Sequence, residues 1–240
     1  MNPEINGEYN VLKNIIKNSD KEVCLIDGGA NVGKYSEKFL SLCLGNNKKP
    51  ILYSIEPFPN TMKKLQERIG SRAKNTIQAA LGSEPSKVKL YYGDINSPSG
   101  GTNSLISHYY LNDHIEVDQK TLDSIVEDNN IKKIDFLKLD IEGAEYNALL
   151  GSLKILSNQI VSYIQLEYNQ TWIAGGGTIK KVLDLCGKYG YQLFIISKNE
   201  LISVPSYHFI LDDFYFCNLL LVKNGLPLCL PHHRKALPFI

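Results

Sequence analysis

The stretch that most constrains the fold is a glycine-rich segment near the start of the chain. Residues 26–33 read Ile-Asp-Gly-Gly-Ala-Asn-Val-Gly, and they join a predicted strand at 23–27 to an amphipathic helix predicted at 34–44. A second predicted strand, at 51–56, ends in Glu56. A strand, a glycine turn, a helix and a second strand ending in an acid are typical of the first half of a nucleotide-binding α/β sheet. The segment therefore predicts parallel strands with a ligand site at their carboxyl ends.

The spacing of the glycines indicates which ligand this turn suits. Turns that bind dinucleotides have the spacing G-x-G-x-x-G, because the pyrophosphate lies against bare backbone at a helix N-terminus. Here the glycines are Gly28, Gly29 and Gly33, and Asp27 precedes them. An acid at such a turn does not favour a phosphate. It suits the ammonium group of S-adenosylmethionine (SAM), which contains no phosphate.

Two further residues fit the same ligand. Glu56 stands where an acid can bind the two ribose hydroxyls, and Asn31 at the helix entrance can cap the helix and bond the carboxylate of the ligand. The alternative for the whole turn, Asp27 to Gly33, is a purely structural strand-to-helix turn with an N-cap. The alternative for Glu56, an exposed acid at the end of a strand, does not account for its spacing, so the sequence predicts a SAM-dependent methyltransferase.

The rest of the chain continues the alternation of strands and helices, which predicts a parallel sheet with helices on both faces. We expect a cap helix within residues 1–20, a single domain over 21–225 and an irregular tail at 226–240. An insertion at about 83–125, between the third and fourth strands, would stand over the carboxyl edge of the sheet. The remaining predicted segments are a helix at 59–69, strands at 76–80, 134–140, 161–167 and 191–196, helices at 144–156 and 178–188, and a last strand at 214–222.

Composition excludes several classes of partner. The 240 residues include 26 basic and 25 acidic side chains, so no global field favours nucleic acid. The five cysteines are scattered without a C-x-x-C motif, so we expect neither a disulfide framework nor a zinc site. The first residues do not resemble a secretory signal, and the apolar runs are too short to span a bilayer. We therefore expect a cytoplasmic protein, and its sequence leaves open whether it forms a homo-oligomer.

Charged side chains follow the fourth and fifth predicted strands where ligands bind. Lys138 and Asp140 share one side of the fourth strand, and Glu167 and Asn169 follow on the fifth. A charged pair in an apolar central strand is costly unless it is paired or functional, so Asp140, Lys138 and Glu167 are candidate catalytic residues. Two arrangements are open. Asp140, Glu167 and Asn169 could hold Mg²⁺, or Lys138, Asp140, Gln165 and Glu167 could form a buried hydrogen-bond network.

Other candidate residues each have a structural alternative. His108 and His114 follow a Gly/Ser/Asn-rich loop and could act as a general base for a hydroxyl, or they could be ordinary surface histidines. Glu142 and Glu145 lie near the start of a helix, where acids favour the helix dipole. Trp172 could stack on a sugar or aromatic acceptor, or it could pack in the core.

Together, these segments resemble the FkbM family of SAM-dependent methyltransferases. The resemblance covers about residues 22–168, and its most specific part is the stretch around Asp140. The first stretch departs mildly, because the family usually has Val where Gly28 stands. The matching stretches are Asp27-Gly28-Gly29-Ala30-Asn31-Val32-Gly33-Lys34-Tyr35-Ser36, Ile55-Glu56-Pro57-Phe58-Pro59, Ala79-Ala80-Leu81-Gly82, Asn103-Ser104-Leu105, Thr121-Leu122-Asp123 and Lys138-Leu139-Asp140-Ile141-Glu142-Gly143-Ala144-Glu145.

The resemblance implies a seven-stranded, Rossmann-like class I methyltransferase sheet with an antiparallel last strand. It implies methyl transfer to oxygen, with a sugar or glycan precursor or a natural product as the acceptor. By analogy Asp140 faces the methyl group. The implied cofactor-binding residues are Asp27, Gly28, Gly29, Asn31 and Gly33 for the methionine portion, Glu56 with Pro57 for the ribose, Ala80 and Leu81 for the adenine, and Ser104 in its own matched stretch.

Three other functions compete with this interpretation. A nucleic-acid methyltransferase that acts on base amino groups usually shows Asp/Asn-Pro-Pro followed by an aromatic residue, which this sequence does not contain. An NAD(P)-dependent sugar-modifying oxidoreductase would need the G-x-G-x-x-G spacing, which is also missing from the sequence. A non-catalytic SAM-binding protein would not need the acids of the fourth strand.

Overall fold

Strands and helices alternate along the chain. This computed structural model describes residue 3 and residues 5–93, 104–105 and 113–233. The helices are α1 (Glu8–Asn18), α2 (Lys34–Gly45), α3 (Pro59–Ile69), α4 (Leu122–Asp128), α5 (Glu145–Leu150), α6 (Leu153–Ser157), α7 (Thr171–Gly175) and α8 (Ile179–Tyr189). The strands are β1 (Glu22–Gly28), β2 (Lys49–Ile55), β3 (Asn75–Ile77), β4 (Ala80–Leu81), β5 (Ser86–Tyr92), β6 (Asp113–Lys120), β7 (Ile134–Leu139), β8 (Val161–Tyr168), β9 (Tyr191–Ile196), β10 (Leu201–Ser203), β11 (Cys217–Lys223) and β12 (His232–His233).

The central sheet confirms the predicted class I methyltransferase architecture. Its strand order is β12-β10-β9-β11-β8-β7-β1-β2-β3. Strands β8, β7, β1, β2 and β3 are parallel to one another, and β11 runs antiparallel to both β8 and β9. Beyond the predicted seven strands, the short strands β10 and β12 extend the sheet past β9. Strand β12 lies in the segment predicted to be an irregular tail, of which residues 234–240 are outside the described part.

The two faces of the sheet bury separate apolar layers because neighbouring residues of a strand point to opposite sides. Leu25 of β1 packs in the layer beneath α1, α2 and α3, whereas Ile26 packs in the layer beneath α4, α5, α6 and α8. The apolar stripe of α1 is fully buried on the first face. Within the described residues, no helix combines the length and apolar character that crossing a bilayer requires.

Three predicted elements differ from those observed. The helix predicted at 144–156 is divided into α5 and α6 at Gly151 and Ser152, whose ψ values of 9° and 15° depart from the helical range. The last strand begins at Cys217 rather than at Phe214, whose φ of 55° is left-handed. The predicted strand at 76–80 is also divided, with β3 in the central sheet and β4 in a second sheet.

That second sheet is built mainly from the predicted insertion. It has the order β4-β6-β5, with β5 and β6 antiparallel and β4 parallel to β6. A small apolar cluster joins Leu90 of β5 and Val117 of β6 to Phe58, which follows β2, and to Ala80. The insertion is thereby attached at the carboxyl edge of the central sheet. Residues 94–103 and 106–112 of it lie outside the described part.

Candidate functional site

A cavity of about 600 Å³ lies at the carboxyl edge of the central sheet. Side chains and backbone from the ends of β1, β2, β7 and β8 line it, together with the start of α1 and residues of the second sheet. Its position is the one expected for ligands of an open α/β sheet. The predicted site residues that line it are Gly29, Asn31, Glu56, Pro57, Ala80, Leu81, Lys138, Asp140 and Glu167.

The glycines of the first turn serve close packing of the protein itself. Gly29 has a φ of 77°, and a Cβ there would overlap the backbone oxygen of Asp140 at the end of β7. A Cβ at Gly28 would lie 2.8 Å from side-chain atoms of both Leu139 and Leu81. Gly33 has a φ of 82°, and neither it nor Gly28 lines the cavity. Among the three predicted glycines, only Gly29 therefore lines the cavity.

Glu56 joins the turns that follow β1 and β2. It is 5% exposed, its Oε2 accepts a hydrogen bond from the Asn31 backbone N–H at 3.0 Å, and its Oε1 accepts one from Phe58 at 3.1 Å. Burial raises the pKa of Glu56 to about 7, with smaller contributions from Asp27 and Asp140, against the lowering effect of the two backbone bonds. Each oxygen retains a lone pair, so the carboxylate can accept hydrogen bonds from a diol in the cavity.

Asp27 lies beneath the turn rather than on the cavity wall. It is fully buried, and its Oδ2 accepts a hydrogen bond from the Ser36 hydroxyl at 2.6 Å, which in turn contacts the Ser54 hydroxyl at 2.8 Å. Burial raises the pKa of Asp27, and the charge of Lys138 opposes that shift. Its Oδ1 has no hydrogen-bond partner among the described residues. These hydrogen bonds link the start of α2 to β1 and β2.

Lys138 and Asp140 form an ion pair at the end of β7. The Lys138 Nζ lies 2.7 Å from Asp140 Oδ2 and 4.9 Å from the centroid of the Tyr35 ring. Burial alone would lower the pKa of Lys138, but the charges of Asp140, Asp27 and Glu8 raise it above its usual value. The lysine is therefore a buried cation held by surrounding carboxylates, as a charge in this position requires.

Three carboxylates converge beside this pair. Asp140, Glu142 and Glu167 each offer an oxygen, and these oxygens lie within 4.8 Å of one another. Burial raises the pKa of Glu142 to about 7 and that of Glu167 to about 9, and the charge of Asp140 adds to both shifts. Such a trio supplies the oxygen ligands that a divalent cation such as Mg²⁺ takes.

The composition of this trio differs from the predicted one. Asn169 points its amide nitrogen at Glu167 Oε2, at 3.1 Å, while its Oδ1 accepts hydrogen bonds from the backbone and hydroxyl of Thr171. Its oxygen is thus already bonded, and Glu142 occupies the position predicted for Asn169. Glu142 is brought there by a left-handed backbone, with a φ of 54°, which the helix-dipole interpretation did not anticipate.

The predicted hydrogen-bond network is only partly present. Lys138 bonds Asp140, but the Gln165 amide donates to Glu8 Oε2 at 3.0 Å. Glu8 is 7% exposed, and its Oε1 accepts a hydrogen bond from Asn218 of β11 at 3.2 Å. A buried link from α1 to two central strands therefore replaces the predicted bonds of Gln165 to the catalytic candidates.

Two residues hold the turn that carries Glu142. The Glu145 carboxylate accepts hydrogen bonds from the backbone N–H groups of Ile141, at 2.8 Å, and Gly143, at 3.0 Å. The Ser104 hydroxyl is buried and donates to the Glu142 backbone oxygen at 2.8 Å. Glu145 thus lies in the first turn of α5, where the helix-dipole interpretation placed it. Ser104 holds the turn through its hydrogen bond but does not line the cavity.

The remaining candidates lie away from the cavity or outside the described residues. His108 belongs to a segment that the structure does not describe. His114 is exposed on β6, 5.6 Å from the Tyr91 ring. Trp172 is fully buried, packs edge-on against Tyr168 at 4.9 Å and donates its indole N–H to the Glu167 backbone oxygen at 2.8 Å. Trp172 is therefore a core residue rather than a stacking platform.

Several of the lining residues were not predicted as site residues from the sequence. Glu8 and Tyr9 come from α1, Tyr35 from α2, and Phe216 from the segment before β11. Pattern analysis assigns the apolar side of each helix to the core, but it does not show which side chain at a helix start reaches a distant strand. Its place as the acid at the start of α1 is the one signal that could have singled out Glu8.

Comparisons with known proteins agree with this geometry. The sequence profile described as the methyltransferase FkbM domain matches residues 27–193. A hexuronic acid methyltransferase, AglP, of Haloferax volcanii is 26% identical over 172 residues, which cover 68% of this chain and 63% of that relative. The chain thus spans less than two thirds of that relative's length.

A solved structure shows the same fold. The crystal structure of methyltransferase FkbM from Methylobacillus flagellatus superposes with a TM-score of 0.53 at 16% identity, covering 84% of this chain and 44% of that one. The sequence match spans the glycine turn, Glu56 and the carboxylate trio. The chain therefore belongs to the FkbM methyltransferase family.

Proposed function

We propose that this protein is a SAM-dependent O-methyltransferase that methylates a hydroxyl group of a sugar, in a glycan precursor or a sugar-containing natural product. The observation that carries the proposal is the buried Glu56 carboxylate, fixed by the backbone of Asn31 and Phe58 at the edge of the cavity. Membership of a methyltransferase family supports it.

The residues of the cavity fit SAM. Glu56 has free lone pairs for a ribose diol, and the apolar side chains of Ala80, Leu81, Leu90 and Leu105 line the same cavity and suit an adenine ring. The volume of about 600 Å³ lies within the range of small-molecule sites. When bound, SAM supplies a methyl group that is already activated on a sulfonium centre.

The protein would then contribute position and a place for the proton of the acceptor. Asp140 is held by Lys138, so its carboxylate is fixed as a charged hydrogen-bond acceptor at the end of β7. Glu167 lies beside Asp140 and its pKa is raised to about 9, so it carries its proton near neutral pH, and we assign the Asp140 carboxylate the role of accepting the hydroxyl proton. Holding a hydroxyl close to the reactive carbon accounts for most of the remaining rate enhancement.

The acceptor is proposed only as a sugar. The named relative is a hexuronic acid methyltransferase, but this chain spans 63% of its length. Fold and family do not fix the substrate, since one fold supports many acceptors. We further propose that residues 21–225 form the methyltransferase domain and that α1 is its N-terminal cap.

Calorimetric titration with S-adenosylhomocysteine (SAH) and, separately, with NAD⁺ tests the cofactor. We expect SAH to bind and NAD⁺ not to bind. Glu56→Ala should weaken SAH binding about 10- to 100-fold, because hydrogen bonds to a charged group contribute about 1.5–3 kcal/mol. Glu22→Ala, an exposed acid at the opposite end of the sheet, is the matched control and should leave the affinity unchanged. Binding of NAD⁺ without SAH would overturn the proposal.

A further inference from the structure

The segment 207–216, which leads into β11, is rich in aromatic side chains. It reads Tyr-His-Phe-Ile-Leu-Asp-Asp-Phe-Tyr-Phe, and we call it the aromatic segment. Seven large apolar or aromatic side chains are exposed in the part of the chain that the structure describes, and four of them lie here: Tyr207, Phe209, Ile210 and Tyr215. Phe209 is 74% exposed and Tyr215 is 78% exposed. Such a concentration, unlike exposed residues scattered singly, indicates a binding surface.

Hydrogen bonds and packing hold the aromatic segment against the rest of the domain. The Tyr168 hydroxyl donates to the Leu211 backbone oxygen at 3.3 Å and accepts a hydrogen bond from the Phe214 backbone N–H at 3.2 Å. The Phe214 ring stacks on the Tyr168 ring at 5.7 Å, and Leu211 is buried. Asp212 Oδ1 accepts a hydrogen bond from the Ile179 backbone N–H at 2.6 Å. The exposed rings are therefore presented on an anchored backbone, which reduces the entropy lost when a ligand binds.

The sheet topology places the aromatic segment at the mouth of the cavity. Strand β11 is antiparallel to β8, and its first residue, Cys217, pairs with Tyr168, the last residue of β8. The segment therefore enters β11 at the carboxyl edge, beside the end of β8 that carries Glu167. Its last residue, Phe216, lines the cavity. Because β8, β7 and β1 separate β11 from β2 in the strand order, the segment lies at the opposite end of the cavity from Glu56.

We propose that the acceptor is an oligosaccharide, and that the aromatic segment binds the sugar units that continue outward from the methylated one. The C–H face of a pyranose ring is apolar and packs flat against an aromatic ring, while its hydroxyl groups stay free for polar partners. The exposed Asp213, whose Oδ1 accepts a hydrogen bond from the Tyr215 backbone N–H at 2.9 Å, offers a carboxylate to such hydroxyls. This inference rests on the proposed function, since it extends the acceptor of the same site.

The charge of the aromatic segment favours a glycan over a membrane surface. The segment contains two acids, Asp212 and Asp213, and neither lysine nor arginine. Segments that bind membranes combine exposed apolar side chains with basic ones, because the bilayer surface carries anionic lipids. Sugar hydroxyls instead donate hydrogen bonds to carboxylates. Continuity with the cavity through Phe216 favours a ligand that is part of the substrate over a second copy of the chain.

A binding panel tests the length of the acceptor. Cellotetraose, mannotetraose, chitotetraose and tetragalacturonate represent neutral, N-acetylated and acidic glycans, and each is compared with the methyl glycoside of its single sugar unit. Dissociation constants are measured by NMR titration of the protein loaded with SAH. We expect at least one tetrasaccharide to bind about 10-fold more tightly than its monosaccharide, since one well-packed aromatic contact contributes a factor of this order. Equal affinities throughout the panel would overturn the proposal.

Substitutions test whether the aromatic segment supplies this gain. For the tetrasaccharide with the largest gain, Tyr215→Ala and Phe209→Ala together should bring the affinity ratio to about one, with thermal unfolding used to verify that the variant folds. Tyr215→Phe keeps the ring and should keep the ratio. Leu44→Ala is the matched control, since Leu44 is 80% exposed near the end of α2, and it should leave the ratio unchanged. A ratio that survives the double substitution would overturn the proposal.

Two sedimentation measurements test the other occupants of this surface. The unsubstituted protein and the double variant of Phe209 and Tyr215 are sedimented with vesicles of phosphatidylglycerol and phosphatidylethanolamine, and their masses are determined by sedimentation equilibrium. Vesicle binding or a dimer that is lost in the variant would overturn the proposal in favour of a membrane or a second copy. Equal binding of monosaccharides and tetrasaccharides would overturn this inference alone, whereas failure of SAH and of every sugar to bind would overturn the proposed function as well.

Discussion

The two halves of the cavity are built in different ways. Around Glu56, backbone N–H groups of Asn31 and Phe58 hold the carboxylate, and both belong to turns next to strand ends. The other half, lined by Glu8, Glu142 and Glu167, instead depends on side chains from α1, the turn after β7 and β8, which are far apart in sequence. Backbone contacts of local turns fix the first half, whereas the second half depends on how distant elements dock. The half proposed for the cofactor is therefore fixed by the backbone, and the half proposed for the acceptor can change by substitution of side chains.

The largest loss of stability is expected at Gly29, where the turn after β1 packs against the backbone at the end of β7. Gly29→Ala should lower the free energy of unfolding by about 3–5 kcal/mol, because the added Cβ overlaps the Asp140 backbone oxygen and the φ of 77° disfavours any side chain. Chemical denaturation measures the change. Gly187→Ala is the matched control: a Cβ added there would meet no other atom within 4 Å, the residue is exposed in α8, and the protein should gain about 0.5–1 kcal/mol. Equal effects of the two substitutions would contradict close packing at the turn.

A smaller loss of stability is expected from substitution of Glu8. Glu8→Ala should cost about 1–3 kcal/mol of unfolding free energy, because it leaves the buried amides of Gln165 and Asn218 without their acceptor. Glu8→Gln retains an oxygen and should cost less. If Glu8→Ala were as stable as the unsubstituted protein by the same denaturation measurement, α1 would not be linked to the sheet through this residue.

Stability should also depend on pH because of the buried acids. Burial raises the folded-state pKa of Glu56 and Glu142 to about 7, of Glu145 to about 8 and of Glu167 to about 9, each from an ordinary value of 4.5. Between pH 5 and 8 the folded protein therefore binds more protons than the unfolded chain, and its stability falls as pH rises.

Unfolding free energies measured at intervals from pH 5 to 8, without ligand, test this sign. Glu167→Gln should make the decline shallower. Asp118→Asn, at an exposed residue whose pKa is lowered by its hydrogen bond to Lys87, should leave the decline in this range unchanged. Stability that rises over this range would contradict the assignment of buried, largely uncompensated acids.

Sequence reasoning succeeded where structure is local and failed where it is not. The turn after β1, Glu56 and the order of alternating elements follow from adjacent residues, and the structure has the predicted sheet. The place of Glu142 depends on a left-handed residue, and that of Glu8 on the docking of α1 against β8 and β11. Neither follows from periodicity. The Asn169 oxygen, predicted as a metal ligand, bonds the next turn of the chain at Thr171, and that contact does not follow from periodicity either.

The most direct test of the central claim is a thermodynamic cycle on the ribose contact. SAH and 2′-deoxy-SAH are titrated into the unsubstituted protein and into Glu56→Ala. The loss of binding free energy on removal of the 2′-hydroxyl is then compared between the two proteins. If Glu56 binds the ribose of SAM, the missing hydroxyl should weaken binding about 10-fold in the unsubstituted protein and leave it unchanged in the variant. An equal penalty in both proteins would show that the ribose does not contact Glu56, and the assignment of this cavity to SAM would fail.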